Sequence, residues 1–303
     1  MSQIPTLHLG TRKGLLTLTR GDGGWKVARH SHLGAPVAYA AEDPRNGTLW
    51  ACLDHGHWGQ KLERSRDGGA TWEKVAAPAY PDDTTIKMGF PGAETRNEVP
   101  STLRYLWSFA PGGMDQPGRI YFGTEPGGLF RSDDDGESFH LVEGLWNHPS
   151  RLDGWFGGGR DQPGIHSICV NPHDSRHLYV GISCAGVFES RDDGATWHPA
   201  NTGLRADFLP EPAAEIGHDP HCLVMCTGAP NVMWQQNHCG IFRTQDGGAS
   251  WKMVSEKGRA PHFGFAIAAD PRNPCVAWVV PGHSDDVRTA IDGALVAYRT
   301  DDG

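Results

Sequence analysis

No stretch of this 303-residue chain is apolar for long enough to span a bilayer, and the opening segment MSQIPTLHLGTRKG lacks the apolar core of a secretion signal. Cysteine is scarce: 7 residues, an odd number, with no CxxC pair. Reduced thiols in a cytoplasmic protein are the expectation. Positive charge is short as well. Lys and Arg number 27 against 36 Asp and Glu, a formal net charge of −9. A phosphate-backbone binder needs clustered cations, so neither nucleic acid nor membrane is an expected partner. HExxH spacing is absent too. What is abundant is turn chemistry: 40 Gly and 22 Pro, with 11 Trp to pack beneath short strands. A hydrophobic content of 38% is enough for many small cores and too much for disorder.

One phrase recurs. RSRDGGATWEKV begins at Arg64, and close variants begin at Arg131, Glu189 and Arg243; YRTDDG (298–303) opens a fifth copy. The pattern is Ser/Thr-x-Asp-x-Gly-x-Ser/Thr-Trp/Phe. Its aspartates, Asp67, Asp134, Asp192, Asp246 and Asp302, follow at intervals of 67, 58, 54 and 56 residues. A period of this size signals a repeat architecture with one supersecondary unit per period. Asp and Ser bond neighbouring amides, Gly supplies a positive φ, and the aromatic drops into the core beside the turn. The motif therefore reads as scaffold.

These phrases resemble Asp-boxes, and the chain is similar to the BNR/Asp-box, sialidase-like β-propellers. The resemblance implies an all-β propeller of four-stranded blades with box turns between third and fourth strands. Seven blades are expected in the complete protein, with six as the alternative. Apolar runs at 36–44, 104–112, 165–172, 221–228 and 262–271 are read as first strands. Residues 1–303 are read as one propeller domain, expected to stop inside its last box. Two stretches, 77–102 and 144–164, exceed ordinary connections and are read as insertions forming lids or partner contacts.

In a propeller, the starts of first strands and the loops between second and third strands open on one face around the channel. That concave mouth is where a ligand is expected. His55, His57, His166, His218, His221, His238, His262 and His283 all fall in such segments. Imidazole is the commonest metal ligand and a natural base. A divalent ion such as zinc or manganese is therefore expected on His166, His221, His238 and His262, with Gln236 as a further ligand. No organic cofactor is expected. Cys222 and Cys239 are either thiolate ligands or buried small residues.

Sialidases need an arginine cluster, a Tyr–Glu pair and an Asp acid. Here TRKGLLTL stands where their Arg-Ile-Pro motif would be, and no Tyr–Glu pairing is evident. Arg104, Arg151 and Arg160 can supply positive charge near the mouth. Trp146, Trp155 and Phe156 form either a stacking wall or an apolar plug beneath the loop. The favoured reading is a metal-assisted hydrolase or lyase acting on a small polar, carbohydrate-like substrate. Glu125, His55 and His57 are then the candidate proton carriers, and Arg104 a candidate charge near the substrate. The alternative is a non-catalytic scaffold that presents a face to a protein partner, like the photosystem-assembly and sortilin-type Asp-box proteins.

Overall fold

A computed structural model describes residues 5–93 and 96–303. Residues 94 and 95 of the first insertion, and residues 1–4 of the expected domain, lie outside the described residues. The repeat period becomes six antiparallel sheets. The first holds β1 (Thr6–Thr11), β2 (Gly14–Gly21) and β3 (Gly24–Ser31). The second holds β4 (Val37–Glu42), β5 (Leu49–Asp54), β6 (Gln60–Ser65) and β7 (Glu73–Val75). After a hairpin of β8 (Thr85–Lys87) and β9 (Glu98–Pro100) comes the third: β10 (Tyr105–Pro111), β11 (Ile120–Glu125), β12 (Leu129–Ser132) and β13 (His140–Leu141). Two short helices, α1 (Glu143–Trp146) and α2 (Arg151–Gly154), precede the fourth sheet. That sheet holds β14 (Ile165–Val170), β15 (Leu178–Ile182), β16 (Gly186–Ser190) and β17 (His198–Pro199). The fifth contains β18 (Pro220–Met225), β19 (Met233–Asn237), β20 (Gly240–Thr244) and β21 (Lys252–Met253). The sixth contains β22 (Gly264–Ala269), β23 (Ala277–Pro281) and β24 (Tyr298–Thr300).

Each sheet is a simple meander, and the strands β4, β10, β14, β18 and β22 lie side by side around the centre. This is an all-β propeller. The second strands β11, β15 and β19 are buried along their whole length, sandwiched between neighbouring blades, whereas β2 and β23 are partly exposed. Apolar clusters therefore fill the gaps between blades rather than one common interior; Trp155, Val180, Ile182 and Phe188 belong to one of them. No helix of the described residues is long and apolar enough to cross a membrane.

The repeated turns do what their residue types dictate. In the copy at Ser190, the hydroxyl accepts from the Gly194 amide (2.9 Å), while Asp192 accepts from the Thr196 amide (2.9 Å) and hydroxyl (2.6 Å). The same bonds recur at Asp67, Asp134 and Asp246. Hydrogen bonds from Ser138 and Ser132 hold the Asp134 carboxyl down at about 2. Trp197 and Trp251 are buried, whereas Trp72 and Phe139 are half-buried at the margins of their clusters. None of these turns lines the cleft described next.

Candidate functional site

In five successive sheets the pairing of first and second strands slips by one residue near the start of the first strand. The residues left between paired neighbours are Ala38, Trp107, His166, His221 and Phe265. A bulge of this kind bends the strand and re-aims its unpaired side chain. Trp107, His166, His221 and Phe265, drawn from four consecutive blades, accordingly line one cleft of about 470 Å³. The position in β22 that corresponds to His221 is therefore Phe265, not His262.

Asp219 lies at the floor of this cleft, two residues before His221, and is almost wholly buried. Its Oδ1 accepts from the Ser183 hydroxyl and the Cys184 amide, both at 3.1 Å. Its Oδ2 faces His221 Nε2 at 3.3 Å and His238 Nδ1 at 3.6 Å. Burial acts to raise the Asp219 carboxyl, but its contact with His221 and the charges of His221 and His238 outweigh that and hold it below its usual range. Burial lowers His238, with Asp219 opposing. His221 Nδ1 donates to the Gly264 carbonyl at 2.6 Å, since a carbonyl can only accept. Its Nε2 therefore faces the Asp219 carboxylate, a contact that a proton or a cation between the two atoms satisfies.

The three donor atoms lie within 4.8 Å of one another, and among the described residues no other group of three His, Cys, Asp or Glu does. Two of the three spacings fit a metal. Tetrahedral zinc with bonds of about 2.0–2.2 Å sets its ligands roughly 3.3–3.6 Å apart, and the two contacts of Asp219 Oδ2 match that range. Each imidazole is also framed by aromatic rings: Phe265 stacks on His221 (4.7 Å between centroids), and Phe208 meets His238 edge-on (5.2 Å).

The four-histidine set is corrected by these positions. His221 and His238 come together, with Asp219 as the third donor. His166 lines the same cleft, but its nitrogens stay outside the donor group. Its Nδ1 meets Ser167 Oγ at 2.8 Å, its Nε2 has no partner, and burial pushes its pKa down to about 4. His262 sits three residues before the bulge and bonds Ser255 through Nδ1 at 2.9 Å. Gln236 is buried in β19, where its amide donates to the His262 carbonyl at 2.8 Å, and it does not line the cleft. The thiols of Cys222 and Cys239 are pushed up by burial and bond neighbouring backbone instead.

The candidate proton carriers are also redistributed. Glu125 is buried at the end of β11 and paired with Arg160. Burial raises its carboxyl, opposed by that guanidinium. Arg160 lines the cleft and lies over Tyr105 and Trp107, 4.3 and 5.5 Å from the ring centroids. Arg104 is exposed; its amide donates to the Glu125 carbonyl, and its side chain does not line the cleft. His55 lines a separate hollow with Trp58 and Lys61, and His57 stands against Trp58. Neither belongs to the cleft, because the turn that carries them belongs to the second sheet, three sheets before the one that holds β18.

The two insertions interlock. Arg96 donates to the carbonyls of Asp153 and Trp155, and Arg151 to that of Thr85. Phe90 of the first packs on Phe156 of the second, with ring centroids 4.7 Å apart. Both rings line the cleft, whereas Trp146 and Trp155 are core residues, which settles that pair as the plug. At Gly158 a Cβ would sit 2.4 Å from Cys184 Sγ, so only glycine lets this loop close on the turn beside Asp219. Sequence reading missed Asp219, Trp107, Phe265 and Asp285. The signal for the first was available in HDPH (218–221), a carboxylate two residues before a histidine at a strand start.

No family model matches the chain. Xyloglucanase Xgh74A of Acetivibrio thermocellus is 26% identical over 161 residues, covering 46% of this chain and 18% of its own length. The chain thus spans about a fifth of that curated relative. Among solved structures, the GH74 xyloglucanase from Xanthomonas campestris superposes with a TM-score of 0.53 at 16% identity, over 93% of this chain and 50% of that one. A putative 6-phosphogluconolactonase from Bacteroides uniformis gives 0.55 at 11% identity, over 98% and 83%. At such identities the likeness establishes the propeller fold and nothing finer.

Proposed function

We propose that the cleft at the channel mouth is the active site of a metal-assisted hydrolase or lyase acting on a small polar, carbohydrate-like substrate. The observation that carries this is the convergence of Asp219 Oδ2, His221 Nε2 and His238 Nδ1 at metal-ligand spacing inside an open cleft. The cleft walls add support. Phe90 and Phe265, each 45% exposed, and Phe208, 37% exposed, leave ring surface free in one concavity. Such faces suit the apolar side of a sugar ring. The sequence likeness to a xyloglucanase points the same way.

A divalent ion held there supplies Lewis-acid polarisation of a substrate oxygen or an activated water. The chain's own groups do the rest. Asp219 neutralises charge at the floor, with its second oxygen fixed by Ser183 and Cys184. His166 contributes a ring to the cleft wall, with its Nε2 buried and without a partner. Arg160, anchored by Glu125, brings positive charge to the opposite wall. Glu125, buried and paired with Arg160, acts on the cleft through that guanidinium rather than by carrying a proton itself.

Metal analysis of protein purified without a histidine tag tests the reading, followed by zinc or manganese reloading and assays on neutral and acidic oligosaccharides. Stoichiometric metal, with cleavage lost in Asp219→Asn, is expected. Failure to retain metal after reloading would overturn the reading and leave the protein-binding scaffold.

A further inference from the structure

Loop 281–293 crosses the open side of the cleft and carries Asp285 to the far side of His238. Asp285 Oδ2 stands 3.5 Å from His238 Nε2, the ring nitrogen that does not face Asp219. The loop is built to hold that place. The Gly282 amide donates to the Phe263 carbonyl and the His283 amide to the Thr289 carbonyl, both at 2.9 Å. Arg288 Nε donates to the Asp285 carbonyl at 3.1 Å, and the same guanidinium lies 5.6 Å from the Phe265 ring centroid.

His238 is therefore flanked by a carboxylate at each ring nitrogen. A neutral imidazole has one N–H and one lone pair. With the proton on Nδ1, the lone pair would face Asp285 and the three-donor group would lose a member. With the proton on Nε2, the N–H faces Asp285 and the Nδ1 lone pair turns into the group beside His221 Nε2. The second arrangement is the carboxylate–histidine–metal relay that fixes a ligand's tautomer and ring orientation. We infer that Asp285 is a positioning residue: it holds His238 in the Nε2–H tautomer, so that loop 281–293 supports a ligand set made of Asp219 and His221 at the start of β18 and His238 just after β19. The inference rests on the metal reading proposed above, and it adds a residue from the sixth sheet to a site otherwise built by the fifth.

The test uses the full chain and zinc alone. In zinc-loaded protein, ¹⁵N shifts of the His238 ring should show a metal-bound Nδ1 and an Nε2–H whose shift moves in Asp285→Ala and returns in Asp285→Glu. By calorimetry, zinc affinity should fall about 10- to 100-fold in Asp285→Ala and Asp285→Asn. It should hold in Asp292→Asn, which removes the same charge from the same loop without touching the site. Asp285 is half exposed, so these variants should fold. Unchanged ring shifts and unchanged zinc affinity in Asp285→Ala would overturn the inference. If the wild-type protein binds no zinc, the metal reading fails and the inference with it, whereas zinc bound with unchanged affinity in Asp285→Ala overturns the inference alone.

Discussion

His166 shows what burial does to a single residue at this mouth. Its ring is enclosed, and its pKa falls from an ordinary 6.5 to about 4. Below pH 6.5 the unfolded chain therefore binds a proton that the folded chain refuses. Stability falls as pH drops through this window and is recovered as pH rises back to 6.5. The loss by pH 4 is on the order of 3 kcal/mol from this group alone. In metal-free protein, urea titrations between pH 6.5 and 4 should show a steeper loss for wild type than for His166→Gln. Parallel slopes would mean that the ring is not held neutral. The repeat aromatics belong to the same scale. Trp197 is 4% exposed, and its Nε1 donates to the Gly194 carbonyl at 3.0 Å. Trp197→Ala should cost about 3–5 kcal/mol in a chemical melt while leaving zinc affinity of the folded fraction unchanged. A folded Trp197→Ala protein that had lost only zinc binding would show that the turn is more than scaffold.

At the scale of elements, the bulge in each first strand is what turns a scaffold into a site. It selects His221 and excludes His262, which lies outside the mispaired position and is tied to Ser255. His262→Ala should therefore leave zinc affinity within about twofold, whereas His238→Ala should reduce it by more than about 100-fold, beyond what loss of an outer-sphere partner alone costs. Equal losses in both variants, read by calorimetry, would restore the four-histidine arrangement. The difference between these histidines explains what the sequence could and could not tell. Strands and turns were legible because alternation, Asp-Gly chemistry and the repeat period are local. The expected first strand at 165–172 is Ile165–Val170, and that at 221–228 is Pro220–Met225. A one-residue bulge leaves no local mark, so the step from "start of a first strand" to "points into the cleft" was not available. Gln236 illustrates the same limit: its neighbours in β19 gave no sign that its amide would be consumed by the His262 carbonyl. Asp285 was illegible for another reason, since its partner lies 47 positions away on a different sheet.

For the whole molecule, the propeller distributes burial unevenly, and the site draws on the well-buried fourth and fifth sheets. β15 and β19 are buried throughout, while Leu7 and Leu9 of β1 are 52% and 51% exposed. Amide hydrogen exchange should accordingly be slower in β15 and β19 than in β1, and equal protection would contradict this gradient. A well-buried sector suits a ligand set drawn from strands that must agree to within a few tenths of an ångström. Whether that set holds an ion is the central claim, and anomalous diffraction at the zinc edge from zinc-soaked crystals tests it most directly. One peak is predicted, about 2.0–2.2 Å from Asp219 Oδ2, His221 Nε2 and His238 Nδ1. A map with zinc bound elsewhere, or with none among these three atoms, would contradict the claim.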